Sequence, residues 1–279
     1  LRIVKVIDHG WMRAERRPAS PRFDAHQPCH HFASRHPHSA FRASRSCNCS
    51  HTPMFTPPRL TSDELLDEHD APHEAMRRSL RDLRRFNSLA GGTSAFLRLL
   101  RPVVRELPAH FSVLDLGTGT SDLIEATRRR WPASSATGLD RNVRHLFYGR
   151  ELGRVEVHRV GGDAFHLPFR DDSFDVVASS HFFHHFSPDG NVNLLTESLR
   201  VARHCVMVTD TRRHLAPLLF VRLLGALRLV GEITRFDAPA SVLQGYTIPE
   251  VEAVVRRVPA RRHELRRVIP FRFGLHLWK

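Results

Sequence analysis

Residues 113 to 123, V-L-D-L-G-T-G-T-S-D-L, place two glycines directly after a short apolar run that contains an acid. A strand, then G-x-G, then a helix lets backbone N–H groups and a helix N-terminus approach a ligand, because Gly117 and Gly119 carry no side chain to obstruct it. The same pattern also makes a tight turn that holds nothing, so the surrounding acids decide between the two. Asp140 closes the next strand, where a doubly wound sheet sets an acid against ribose hydroxyls. Asp163 follows the third strand in V-G-G-D-A, where a carboxylate can accept from an adenine amino group. A dinucleotide fingerprint needs glycine at position 122, and Asp122 stands there, facing any pyrophosphate with a carboxylate. Asp115 is a second negative charge, misplaced for an anionic cofactor and useful to a cationic one. The expected ligand therefore combines a ribose, an adenine and a positive charge.

A second group of reactive side chains lies in S-S-H-F-F-H-H-F, which follows the fourth strand. It puts His181, His184 and His185 at the carboxyl end of the sheet, where ligands bind in such folds. Each can take a proton near neutral pH, and His181 followed by His184 are the candidate catalytic bases. They serve equally as packing and hydrogen-bonding residues.

Hydrophobic periodicity supplies the elements that must carry these residues. From Phe111 onward short apolar runs alternate with helical segments, the pattern of a parallel sheet covered on both faces. Strands are expected at 111–116, 135–139, 155–160, 174–179 and 204–209, with helices near 121–130, 142–150 and 190–201. A long apolar helix near 213–231, a helix over 249–258 and two strand-like runs at 261–268 and 271–278 complete the chain. Pro270 joins those last runs as an antiparallel hairpin at the sheet edge. Ahead of the sheet, Thr61-Ser62-Asp63-Glu64 reads as a capping box and Asp70-Ala71-Pro72 as a second helix start. In that second helix Met76, Leu80, Leu83 and Asn87 share a face. A further helix over 93–107 carries Pro102, which should bend it.

The chain has 279 residues and a formal charge of +13, carried diffusely. That excess raises a nucleic-acid partner as an alternative, but no aromatic-rich basic groove motif accompanies it. Residues 1–58 are basic, rich in Arg, His, Pro and Ser, and offer nothing to bury; they are expected to be disordered, with a natural start near Met54. Residues 59–279 form one domain. Cys29, Cys47, Cys49 and Cys205 make no disulfide framework, and the C-x-C spacing is too weak to predict a metal site. No secretory signal is legible at the start, so a cytoplasmic location is the expectation.

Taken jointly, V-L-D-L-G-T-G-T-S, G-L-D and G-D-A-F-H-L-P-F-R-D-D-S-F-D-V-V resemble the motifs of class I S-adenosylmethionine-dependent methyltransferases, over roughly residues 60–279. The subgroup resembled is the ubiquinone and menaquinone biosynthesis type. The resemblance implies a Rossmann-like, doubly wound, mostly parallel seven-stranded sheet with a C-terminal antiparallel hairpin, a helical N-terminal extension and a helical lid. It implies S-adenosyl-L-methionine as cofactor, with Asp115, Gly117, Thr118 and Gly119 around the methionine part. Asp140 and Arg141 would meet the ribose, Asp163 and Ala164 the adenine, and Ser179 would close the site from below. Ser121 stands where the motif often has its third glycine, and is small enough to keep the helix close. L-R-R-F-N-S-L-A-G-G is similar to the subgroup's entry helix, which would bring Arg85 and Asn87 to the cofactor.

The segment T-R-R-H-L-A-P-L-L-F-V-R-L-L-G-A-L-R-L-V-G has too many arginines and too early a proline for a membrane span. Its Leu218, Leu219, Phe220, Leu223, Leu224 and Leu227 suit a lid over a lipophilic acceptor, peripheral membrane contact, or packing against the sheet. Asp237, Ser241 and Tyr246 in the segment after it are candidate acceptor-pocket residues. The expected reaction is methyl transfer to oxygen or carbon of a small phenol, quinone or polyketide-like acceptor. The alternatives are a nicotinamide-dependent oxidoreductase, disfavoured by Asp122, and a nucleic-acid methyltransferase or binding protein, for which no N-P-P-Y-like segment follows the fourth strand.

Overall fold

A computed structural model describes residues 4–6, 55–60, 73–89 and 91–279. The capping box at 61–64, three of the cysteines and most of the basic N-terminal segment lie outside the described residues. Within that segment, β1 (Val4–Val6) is a short strand.

The expected seven strands are present: β2 (Ser112–Leu116), β3 (Ser135–Asp140), β4 (His158–Gly161), β5 (Phe174–Ser180), β6 (Ala202–Thr211), β7 (Arg262–Val268) and β8 (Arg272–Trp278). With β1 they form one sheet in the order β1-β4-β3-β2-β5-β6-β8-β7. β4, β3, β2, β5 and β6 run parallel, β8 pairs antiparallel with β6, β7 antiparallel with β8, and β1 antiparallel with β4. Strand order reverses direction at β2, between β3 on one side and β5 on the other. That topological switch opens a crevice beyond the carboxyl ends of the strands, where G-x-G lies.

Among the described residues eight α-helices flank the sheet: α1 (His73–Leu89), α2 (Gly92–Val104), α3 (Asp122–Arg130), α4 (Val143–Leu152), α5 (Pro188–Val201), α6 (Leu215–Ala226), α7 (Glu232–Gln244) and α8 (Ile248–Val255). Alternation along the strands feeds two cores. Leu114, Leu116, Val177, Val206 and Val208 pack with Leu194, Leu195, Leu199, Val251 and Val254 of α5 and α8. Val113, Val176, Ala178, Cys205 and Met207 meet Phe96, Leu99, Leu100 and Val103 of α2. Cys205 is buried there, which pushes its thiol pKa up to about 12 and makes it inert.

Helix starts follow local chemistry. Asn142 accepts from the Arg144 amide at 3.1 Å to begin α4, and Ser187 accepts from the Gly190 amide at 3.1 Å with Pro188 behind it to begin α5. Glu250 reaches back 2.7 Å to the Thr247 amide at the start of α8.

The single long helix expected over 213–231 is instead two. α6 ends at Ala226, Arg228 takes a left-handed φ of 54°, and α7 begins after Gly231 with Pro239 inside it. The Gly231 amide donates to buried Asp82 of α1 at 2.7 Å, so a tertiary contact fixes where the second helix starts. Packing against the sheet does not account for the apolar residues of α6. Leu218 is buried, whereas Leu219, Phe220, Leu223 and Leu227 are each more than half exposed.

Candidate functional site

The loop between β2 and α3 is built on positive φ values. Gly117, Gly119 and Ser121 have φ of 64°, 51° and 63°, a region glycine enters freely and other residues enter at a cost. A side chain at 117 would collide with the ring of Phe182, whereas one at 119 would meet nothing within 4 Å. Gly117 is thus demanded by packing, and Gly119 leaves its backbone open to the crevice. Ser121 occupies, with strain, the position where the related motif often has glycine.

Three carboxyl groups gather round this loop. Asp115, fully buried at the end of β2, accepts from the Thr118 hydroxyl at 2.8 Å. Burial above all, with the Asp122 and Asp140 charges added against the relief from Thr118, pushes its pKa up to about 8. Asp122, the first residue of α3, is also raised by burial, which the Arg84 charge and the hydrogen bonds from Asn87 and Thr120 only partly offset. Asp140 takes the Gly119 amide on one oxygen and the Asn142 amide on the other, both at 2.8 Å. Its Oδ1 also lies 3.6 Å from Nδ1 of His145. α1 braces the arrangement, since Arg84 donates to the Thr120 carbonyl at 3.0 Å and to Glu125 at 3.0 Å.

A cavity of about 960 Å³ opens beyond the loop, large against the 300–1,000 Å³ of ordinary small-molecule pockets. Of the residues expected at the cofactor, Gly117, Gly119, Asp140, Arg141, Asp163 and Ala164 line it. Asp115 and Thr118 lie beneath the loop, not in the wall. Ser179, in the sheet between Leu116 and Val208, is buried and does not reach the cavity. Asn87 lies behind the wall and donates to Asp122 at 3.1 Å, so it acts on the loop from below. Arg85 points to solvent beside Asp82 at 3.8 Å. Asp163 accepts from the Phe165 amide at 2.9 Å and pairs with His166 at 3.1 Å. Its burial would raise its pKa, but these partners outweigh that and lower it.

The far wall holds the histidines. His181, at φ 52°, lines the cavity, and so does His184 from the 3-10 turn Phe183–His185. Sequence reasoning missed their partner, Asp210 near the end of β6. His184 Nδ1 lies 2.9 Å from both Asp210 oxygens, and the His184 amide donates to Oδ2 at 3.0 Å. His181 Nδ1 is 3.8 Å from Oδ1. Burial pulls the Asp210 pKa upward, but the two imidazoles, His184 first, together with the Thr211 amide hold it well below the carboxylate range. An acid ending an apolar strand, V-M-V-T-D-T, was the available signal.

Asp237 and Ser241 line the cavity as expected; Tyr246 does not. It is a core residue, packed 5.0 Å from the Phe183 ring and donating to the Phe186 carbonyl at 2.6 Å. Asn142, His145 and Phe182 line the cavity without having been singled out in the sequence.

Comparison with known proteins gives the following. The profile of the methyltransferase domain family matches residues 113–204. The demethylmenaquinone methyltransferase of Thermotoga maritima is 34% identical over 103 residues, which cover 37% of this chain and 41% of that enzyme. The chain therefore spans less than half the length of that curated relative. Human N-acetylserotonin methyltransferase, solved with S-adenosylmethionine, superposes with a TM-score of 0.53 at 15% identity, covering 74% of this chain and 56% of that one. The plantazolicin methyltransferase, solved with S-adenosylhomocysteine and a monoazolic desmethylPZN analogue, gives 0.55 at 14% identity, covering 74% of this chain and 95% of that one. At these identities the two structures share the fold.

Proposed function

We propose that the protein, whose residues 113–204 match the methyltransferase domain family, uses S-adenosylmethionine to transfer a methyl group to oxygen or carbon of a small lipophilic or aromatic acceptor, of the phenol, quinone or polyketide kind. The observation that carries this reading is the cluster of Asp115, Asp122 and Asp140 round an amide-lined loop at the mouth of a large cavity. A cation beside the cluster favours the ionised form of these carboxyl groups, whereas a pyrophosphate would add to the cost of ionising them, so the cluster suits a sulfonium and disfavours a nicotinamide dinucleotide.

The donor set fits the cofactor. Asp140, with Asn142 and His145 beside it, suits ribose hydroxyls, and Asp163 beside Ala164 suits an adenine amino group. Gly119 leaves backbone room for the methionine part. When bound, S-adenosylmethionine supplies an electrophilic methyl on a sulfonium. The chain's own work is to align the acceptor in line with that methyl, keep water out and take the acceptor's proton. Phe165, Phe182, Phe186 and Phe271 furnish apolar walls for a flat acceptor. Asp210 holds His184 by Nδ1, so Nε2 is the nitrogen that serves as base, with His181 beside it. Calorimetric titration with S-adenosylmethionine tests the reading, and no detectable binding sinks it. A labelled-methyl assay against lipid and polar extracts then identifies the acceptor class.

Asp140→Ala is expected to weaken cofactor binding by about 1–3 kcal/mol, because it removes the acceptor for two loop amides as well as the ribose partner. The same titration measures it, with circular dichroism confirming the fold.

α6 and α7 support a role at a lipid surface. Leu219, Leu223, Leu227 and Phe236 are 56–62% exposed, and Arg222, Arg228 and Arg235 are exposed among them. Phe220 and Val221 of the same helix line the cavity, so the apolar surface is continuous with its mouth. No helix among the described residues is long and apolar enough to cross a membrane. The proposed partner is the surface of an anionic bilayer, from which a lipophilic acceptor would enter the cavity. Co-sedimentation with anionic vesicles is expected, with weaker binding to neutral ones. Leu219→Ser, Leu223→Ser and Leu227→Ser combined should lower it about tenfold or more. Equal sedimentation of wild type and triple variant counts against the surface.

A further inference from the structure

β8 opens with Arg272, paired across the sheet with Thr211. Its backbone carbonyl accepts from Nε of Arg212 at 3.1 Å. The side chain is only 6% exposed, yet it forms part of the cavity wall. Nη1 is buried and has no hydrogen-bond partner among the described residues. Among the described residues no ion pair holds the guanidinium either. Asp210 acts on it through space, but Asp210's oxygens are directed at His184 and at the amides of His184 and Thr211. Nη2 lies so close to Gly92 that a Cβ added there would crowd it at 3.1 Å, so the glycine at the start of α2 makes room for this side chain.

A buried guanidinium cannot discharge itself by losing its proton, and leaving it without a close counter-charge is strongly unfavourable. Its planar fork matches a carboxylate or another delocalised oxyanion. We infer that Arg272 is an oxyanion anchor of the cavity, binding the ionised oxygen of a small molecule held there. That oxygen belongs to an acidic acceptor, such as a phenolate or enolate, or to the carboxylate of the cofactor's methionine part. The inference rests on the methyltransferase reading and adds to it a requirement for negative charge at a defined wall.

Two pairs of probes separate the sources. S-adenosylhomocysteine against 5′-methylthioadenosine, which lacks the carboxylate, reads the cofactor side. With S-adenosylhomocysteine saturating, 2-hydroxy-1,4-naphthoquinone, an enolate at neutral pH, against its neutral 2-methoxy ether reads the acceptor side. The wild type should prefer the anionic member of at least one pair. Arg272→Met should shrink that preference about tenfold or more. Arg272→Lys, which keeps the charge but loses the fork, should fall between. Retained binding of methylthioadenosine shows that a variant folds; if the Met variant loses it, the Lys variant and the wild-type preferences decide. Preferences that survive unchanged in a folded variant, or no preference in the wild type, overturn the assignment. Failure of the wild type to bind either adenosine compound overturns the methyltransferase reading instead.

Discussion

Asp115→Asn is expected to make the protein more stable at neutral pH while weakening its hold on the cofactor. The buried carboxyl has a pKa of about 8 against an ordinary 3.8. Between those values the folded chain keeps a proton that the unfolded chain has released. The group's contribution to stability is therefore whole below about pH 4, declines through the window, and is gone above about pH 8. The slope is at most about 1.4 kcal/mol per pH unit. Asparagine presents the same oxygen to the Thr118 hydroxyl and carries no such slope. Denaturant unfolding from pH 5 to pH 8 should show the variant gaining steadily on the wild type.

Cofactor binding should move the opposite way. A cation above the loop favours the ionised carboxyl, so at pH 7 binding expels a proton from Asp115, and wild-type affinity rises towards pH 8 before levelling. Calorimetry in two buffers of different ionisation enthalpy should detect that proton for the wild type and none for Asp115→Asn. A pH-independent wild-type affinity would show that Asp115 does not feel the cofactor's charge.

Asp210→Asn is expected to lower methyl transfer about 10²- to 10⁴-fold, the range a positioned base contributes, with S-adenosylhomocysteine binding retained. The carboxylate fixes His184 by Nδ1 and favours the imidazolium that forms once the proton arrives. Because the two imidazoles and the Thr211 amide hold its pKa so low, Asp210 stays ionised across the working range, and any acid limb in the rate belongs to an imidazole. His184→Gln should show a loss of similar size. Separate variants of His181 and His184 tell which imidazole is the base, since only His184 is bound tightly to the acid. Full turnover in Asp210→Asn would reduce the pair to packing. Single-turnover rates under saturating cofactor provide the measurement.

Much of this was legible in the chain itself. The short apolar runs located seven strands nearly to their observed ends, because a central strand covered on both faces must be continuously apolar and bounded by turn residues. Gly117 and Gly119, with Asp140 and Asp163 at or just past the ends of later strands, fall in one wall of the cavity because a parallel sheet brings strand ends together whatever the loops do. Local sequence therefore determined the sheet, its switch point and the sign of charge the crevice attracts. What it could not determine depended on partners distant in sequence. The break between α6 and α7 is set by Asp82 of α1 receiving the Gly231 amide. Tyr246 turned inward because Phe183 and the Phe186 carbonyl were there to receive it. Asp210 joined His184, and Arg272 became a buried cation on the cavity wall, only when β6, β8 and the histidine turn converged. Burial and charge pairing are properties of that convergence, so tertiary structure alone decided which acid holds His184 and which arginine is buried on the cavity wall.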